Sequence, residues 1–90
     1  MEEISTFVAL EKAMQEGQIK SIRIGTTTEL VAVEISCKDI SEPSSATAKL
    51  SQENSVRHVV AAALDQIGIH TPDAEDAKGK VLPMFGHIPF

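Results

Sequence analysis

One helical stripe of aliphatic side chains limits the folds open to this chain more than any other feature. Its members recur at three- and four-residue steps and end at a glycine: Val56, Val59, Val60, Ala63, Leu64 and Ile67, then Gly68. Ser51 is the predicted N-cap, and Ile69 is predicted to close back onto Leu64. A helix with one apolar face has to bury that face against a second layer, so the stripe predicts a two-layer fold. Its far side, with His58, Ala61, Ala62 and Asp65, is predicted to face solvent, and the alternative is that its two alanines accept a second helix or a partner backbone.

The second layer is predicted to be a β-hairpin. Two β-rich runs, IKSIRI and ELVAVEISC, are separated by GTTT. With Thr26 and Thr27 at the tip, Ile22 lies opposite Val31. The helix-facing side of the hairpin then carries five aliphatic residues: Ile22, Ile24, Val31, Val33 and Ile35. The opposite face carries Ser21, Arg23, Leu30, Ala32 and Glu34.

The other segments complete a two-layer α+β fold. Residues 2–16 predict a first helix, with a core face of Ile4, Phe7, Val8, Leu10 and Met14. Residues 38–47 predict a loop, residues 46–50 a third strand, and Thr71-Pro72 the start of a short helical turn. The predicted order is α-β-β-β-α, with a small antiparallel sheet covered by two helices. Residues 1–80 form one domain, and residues 81–90 form an extended apolar tail that packs on the domain or on a partner.

Composition restricts the classes of function. Ninety residues make one domain, and thirteen acids against eight bases give a formal charge of −5. Phosphates are bound by neutralising them with Lys and Arg, so this balance argues against nucleic acid and anionic membranes as partners. The start Met-Glu-Glu is acidic, no apolar run reaches the roughly 18–20 residues of a membrane span, and Cys37 is the single cysteine. A cytoplasmic protein is expected.

The residues that carry chemistry are few and scattered. Histidines 58, 70 and 87 match no short metal motif, and Cys37 lies in phase with buried strand positions, so we expect an inert thiol and neither metal nor cofactor. No glycine-rich phosphate loop occurs. The chain is therefore predicted not to be an enzyme. The alternative is that the chain is a very small enzyme that uses Cys37 or a histidine in a cleft shared between subunits.

The order of elements over roughly residues 2–67, together with the alanine-rich VVAAAL of the second helix, resembles the double-stranded-RNA-binding domain. The resemblance implies RNA contacts from a lysine cluster at the start of the second helix and from the loop after the first strand. Here these segments read SQENSVRH, with Arg57 alone, and GTTTE. Only the topology carries over. A nucleic-acid-binding function would require Lys20, Arg23, Lys38, Lys49 and Arg57 to converge.

The last ten residues, VLPMFGHIPF, are the most apolar segment of the chain. Val81 and Leu82 could add an edge strand, with Met84 and Phe85 filling a gap in the domain. A small aliphatic core has little room for every tail side chain, so contact with a second copy or another protein is predicted. The predicted partner-binding residues are Met84, Phe85, Ile88 and Phe90, with Leu30 on the sheet. The predicted function is a small acidic protein-interaction module, oligomeric or partner-binding, such as an inhibitor or adaptor.

Overall fold

The computed structural model describes residues 5–86 and Ile88, with the backbone alone at Met84 and Phe85. The described residues form three helices and four strands: α1 (Thr6–Gln15), β1 (Ile19–Thr26), β2 (Leu30–Cys37), β3 (Ser44–Lys49), α2 (Ser55–Gln66), α3 (Pro72–Asp76) and β4 (Val81–Phe85). The strands make one antiparallel sheet in the order β1-β2-β3-β4. The α+β class is as predicted. Within this part of the chain no helix is both long and apolar enough to cross a bilayer.

The β1–β2 hairpin has the predicted faces but a different register. Ile22 pairs with Ile35 rather than with Val31. The turn comes later than predicted because Thr27 closes it: its amide donates to the Leu30 carbonyl at 2.8 Å, and its Oγ1 accepts from the Leu30 amide at 3.0 Å. Relative to the predicted pairing the partner strand is shifted by four residues. Since side chains alternate with a period of two, an even shift leaves each one on its predicted face.

The apolar core lies between the sheet and the helices. Ile35 and Val33 of β2 and Leu64 of α2 are fully shielded from solvent there. Ser44 of β3 also points into this layer, and its hydroxyl donates to the Ala63 carbonyl at 3.2 Å. The buried hydroxyl is therefore satisfied by the helix above it, as buried polar groups generally are.

Helix α2 begins later than predicted and ends as predicted. Its N-cap is Asn54, in a left-handed conformation with φ of 60°, and not Ser51. At the other end Gly68 has a φ of +88°, and the Ile69 amide donates to the Leu64 carbonyl at 3.0 Å. This bond completes the glycine-dependent C-cap that the sequence indicates.

The far side of α2 is buried, and the prediction that His58 faces solvent is wrong. His58 is only 4% exposed, and Ala61 and Ala62, on the same side of the helix, are also buried. Helix α3 packs against α2. The alanines leave a slim surface on which another helix can lie closely, and a helix of the same chain occupies this side.

The third and fourth strands extend the sheet at one edge. Strand β3 begins at Ser44, so the predicted loop is shorter and the predicted strand starts two residues earlier. The apolar segment after residue 80 forms β4, in which Leu82 pairs with Thr47. Pro83 has no N–H to donate. It is tolerated because β4 is the last strand of the described sheet, so no further strand there needs that hydrogen bond.

Candidate interaction surface

Helix α1 turns large apolar side chains to the surface. Phe7 and Met14 are each 44% exposed and Val8 is 57% exposed. The sequence predicted all three as core residues, and for these positions the prediction is wrong. Ile4, which belongs to the same predicted stripe, lies outside the described residues. The helix therefore buries a different face.

The inward face of α1 is formed by small and polar residues. Thr6, Ala9 and Ala13 are buried. The Thr6 hydroxyl donates to Oδ2 of Asp73 and lies 3.3 Å from the hydroxyl of Thr71, so the start of α1 is joined to the start of α3. Alanines at the next two inward positions let the helix approach its neighbours closely. This anchoring fixes the rotation of α1 about its axis.

The exposed apolar flank of α1 lies beside the inward face and on the same side of the sheet as the apolar face of β1. At 3.6 residues per turn, Phe7, Leu10 and Met14 fall within about 60° of one another. Leu10 is partly buried against the core, as is Ile22 of β1, whereas Ile24 of β1 is 49% exposed. We call these five residues the α1–β1 groove. The name denotes apolar side chains of a helix and of an edge strand that pack against each other on one side of the sheet.

The groove continues to the start of α2. Phe7 lines a shallow concavity together with Val56, which is 37% exposed. The concavity is completed by Asn54, Ser55 and Arg57. Scattered exposed apolar residues are ordinary on a protein surface, but a contiguous apolar surface marks a contact site. At the start of α2, Val56 therefore adds one apolar side chain to this surface.

The edge of β1 that faces away from β2 has no pairing strand among the described residues. β1 is the terminal strand of the described sheet. The Thr27 amide donates to the Leu30 carbonyl, so the backbone at Thr27 points towards β2. Backbone groups alternate between the two sides of an antiparallel strand. Three residues therefore direct their N–H and C=O groups outward: Ile22, Ile24 and Thr26.

The charge along β1 is basic although the chain as a whole is acidic. Lys20 and Arg23 are both exposed, and the strand contains no acid. Lys20 is the extra residue of a bulge between Ile19 and Ser21. Arg23 Nη1 lies 3.5 Å from Oε1 of Glu34, and the Arg23 side chain keeps 63% of its exposure. Most of the guanidinium donors therefore remain open to solvent.

Apart from Leu30, the outer face of β2 and β3 is made of small and polar residues. Ala32 and Ser45 are fully buried there, and Glu34 is 5% exposed. The Ser45 hydroxyl donates to the Gly86 carbonyl at 3.1 Å, and the Gly86 amide donates to the Pro43 carbonyl at 2.9 Å. These two bonds tie the segment after β4 to the outer-face side of β3.

Of the predicted partner-binding residues, the structure describes the side chains of Leu30 and Ile88. Leu30 is 38% exposed on the outer face, but Ile88 is only 8% exposed within the single chain. Phe90 and the side chains of Met84 and Phe85 lie outside what is described. Ile88 does not belong to the core cluster on the helix side. Its side chain is therefore largely shielded from solvent within the single chain.

The candidate catalytic groups are not brought together. Cys37 is 9% exposed, and burial raises the pKa of its thiol, which disfavours the nucleophilic thiolate. His70 pairs with Asp65 at the surface, and His58 is buried on another turn of α2. Among residues 5–86 and 88, no three histidine, cysteine or acidic side chains cluster as metal ligands would.

A cavity of about 280 Å³ lies where α2, α3 and β4 meet. Its floor is formed mainly by alanine and its rim by Asp65 and Lys78. Lys78 is engaged by Glu75, and the buried Oε1 of Gln66 on the cavity wall has no hydrogen-bond partner within the described part of the chain. The volume is near the lower limit for a small-molecule site.

The five basic residues required for nucleic-acid binding do not all converge. Lys38 follows β2 beside the start of β1, near Lys20, but the others lie apart. Arg57 lies on α2 and its Nε is 3.8 Å from Oδ2 of Asp73. Arg23 lies on the outer face of β1, and Lys49 lies on that face of β3, with β2 between them. The element order from α1 to α2 is the one expected from the resemblance to double-stranded-RNA-binding domains, without a basic stripe to accompany it.

Comparison with known proteins gives no relative. No protein-family model matches the chain, no curated protein matches it, and no solved structure matches it. The resemblance to double-stranded-RNA-binding domains therefore remains one of element order alone.

Proposed function

We propose that this chain is a small, acidic, non-enzymatic protein-interaction module that binds another protein or a second copy of itself. The observation that supports the proposal is the α1–β1 groove, in which Phe7, Met14 and Ile24 are each close to half exposed. Large side chains of this kind stabilise a fold when buried and an interface when covered by a partner. The exposed apolar side chains of the α1–β1 groove are therefore available for binding a partner.

The groove is better supported as the contact than the C-terminal tail and the outer sheet face. Gly86 is held by its own chain, and Ile88 is buried within it. Leu30 and Leu82 are exposed on the outer face, but the residues between them are small or polar. Met84, Phe85 and Phe90 were predicted as part of the main contact, and the proposal retains them as a second contact.

The acidic groups favour an adaptor over an inhibitor that imitates phosphates. Such an inhibitor needs carboxylates gathered on one face. Here Asp73 lies beneath α1, Asp65 pairs with His70, and Glu75 pairs with Lys78. Glu34 is buried on the opposite side of the sheet. These four acids are each engaged by a neighbour in the same chain, which is Arg23 in the case of Glu34, and do not form an open array of carboxylates.

Paired surface variants test the proposal. The double variant Phe7→Ser/Met14→Ser alters the groove, and Leu30→Ser/Leu82→Ser removes a similar exposed apolar area from the outer sheet face. Sedimentation velocity over a wide concentration range measures self-association, and a photo-crosslinking residue at Val8 reports other protein partners. We expect the groove variant alone to lose association or crosslinking. Equal behaviour of both variants and the parent protein would refute the groove as the binding surface.

Shortening the chain after Ile88 tests the tail separately, because it removes Phe90 and leaves the buried Ile88 in place. If the tail makes a second contact, this truncation weakens association without changing the thermal midpoint of unfolding. An unchanged association would remove Phe90 from the proposal.

A further inference from the structure

We propose that the α1–β1 groove binds an extended segment of a partner protein as a fifth strand next to β1, and that this segment alternates apolar and acidic residues. The inference rests on the proposed function and names the occupant of the same surface. Its basis is the coincidence, along one edge, of unpaired backbone groups, exposed aliphatic side chains and basic side chains.

The backbone supplies the first part of the argument. Ile22, Ile24 and Thr26 point their N–H and C=O groups away from the sheet, and an added strand satisfies them by ordinary antiparallel or parallel pairing. β1 contains eight residues and no proline. The other edge strand, β4, contains Pro83 and has only five residues. β1 is therefore the edge that can accept a strand over its length.

Side chains define the two faces of the added segment. On the helix side, alternate residues of the segment would meet Ile24 and the flank of α1 at Phe7 and Met14, so those residues should be apolar. On the outer side, the other residues would lie beside Arg23, with Lys20 close to the end of the segment. Carboxylates suit these positions, because exposed opposite charges on neighbouring strands attract and like charges repel.

The same charges argue against a second copy of this chain as the occupant. Pairing β1 with β1 of another molecule would place Lys20 and Arg23 of both chains along one seam. Exposed lysines and bulges are devices by which edge strands avoid self-association, and β1 has both. A partner strand of opposite charge does not meet the charge barrier, and the bulge at Lys20 leaves the stretch from Ser21 to Thr26 regular. The arrangement therefore selects for a partner that is not a copy.

The test uses the full chain and a defined probe. The probe is an acetylated, amidated octapeptide in which glutamate alternates with isoleucine and valine, and its control has glutamine at every glutamate position. Binding is measured by NMR titration at low and at raised salt, and amide hydrogen exchange is followed in the complex. We expect the glutamate peptide to bind more tightly than the glutamine peptide, and salt to reduce the difference. Exchange should slow at the outward amides of Ile22 and Ile24.

Matched charge reversals locate the site. Lys20→Glu lies on the edge strand, and Lys80→Glu reverses an exposed lysine just before β4, at the other side of the sheet. Lys20→Glu should weaken binding of the glutamate peptide by about fivefold or more. Lys80→Glu should weaken it by less than about twofold. Equal effects of the two variants, or peptide binding without slower exchange at Ile22 and Ile24, would overturn the proposal.

Two outcomes separate this inference from the proposed function. If Phe7→Ser/Met14→Ser abolishes partner crosslinking but neither peptide binds, the groove remains the interaction surface and the strand occupant is wrong. If sedimentation shows a dimer that Ile24→Lys dissociates, the occupant is a second copy, and the acidic-segment proposal is again wrong.

Discussion

Replacing Thr6 with valine should destabilise the protein although the two side chains have nearly the same shape. Thr6 is fully buried, and its hydroxyl donates to the Asp73 carboxylate while lying 3.3 Å from the Thr71 hydroxyl. A hydrogen bond to a charged acceptor contributes about 1.5–3 kcal/mol. The Asp73 side chain keeps 18% of its exposure and the guanidinium of Arg57 is close by, so water and Arg57 compensate in part. We expect a loss of about 2 kcal/mol in the free energy of unfolding.

Urea denaturation followed by far-ultraviolet circular dichroism measures this loss. With a slope of about 1 kcal/mol per molar urea, the midpoint should fall by about 2 M. The thermal midpoint should fall by about 8–16 °C for a domain of this size. Thr6→Ser keeps the hydroxyl and removes one methyl group, so it should cost about 1 kcal/mol.

A double-mutant cycle with Asp73→Ala isolates the hydrogen bond between Thr6 and Asp73. When the carboxylate is absent, the destabilisation caused by Thr6→Val should be smaller by at least about 1 kcal/mol. Additive effects of the two changes would show that the pair does not interact in solution. A serine variant as unstable as the valine variant would show that methyl packing, not the hydroxyl, anchors α1. Either result would remove the physical reason for the rotation of α1 that exposes Phe7 and Met14.

Three further outcomes follow from burial and backbone geometry. Leu64→Ala should cost about 3–5 kcal/mol by chemical denaturation, while Phe7→Ala should change stability far less, because Leu64 is fully buried and Phe7 is 44% exposed; similar losses would place Phe7 in the core. Cys37 should react with iodoacetamide much more slowly in the folded than in the urea-unfolded protein. Burial raises the pKa of the Cys37 thiol in the folded state. The stability that this shift contributes is fully present below the unfolded-state pKa and is lost as pH rises through the folded-state pKa. The variant Cys37→Ala should abolish this pH dependence. Asn54→Val should cost about 1–2 kcal/mol because the φ of 60° disfavours a β-branched residue, whereas Asn54→Gly should be nearly neutral; an equal cost for both would point to a contact of the asparagine side chain.

The interaction surface illustrates how far sequence reasoning reaches. The apolar residues of α1 are visible in the sequence, but their helical spacing predicts that they are buried. When a helix has apolar residues on more than one side, the sequence does not indicate which side packs against the core. Thr6 carries no sequence signal, since a threonine near a helix start is ordinary. The basic character of β1 is readable from Lys20 and Arg23, yet its position as an edge strand depends on β2 pairing on its other side with β3.

The structural features that depend on residues close together along the chain follow from the sequence alone. The stripe of α2, the C-cap at Gly68 and the alternating faces of β1 and β2 follow from periods of 3.6 and 2 residues, and even a misplaced turn left those faces intact. Tertiary structure decided what depends on residues far apart. Thr6 meets Asp73 across 67 positions to set the rotation of α1, and α3 covers the side of α2 on which His58 lies. Such contacts form only once the layers have packed, because no local period encodes which of two acceptable faces a distant partner will cover.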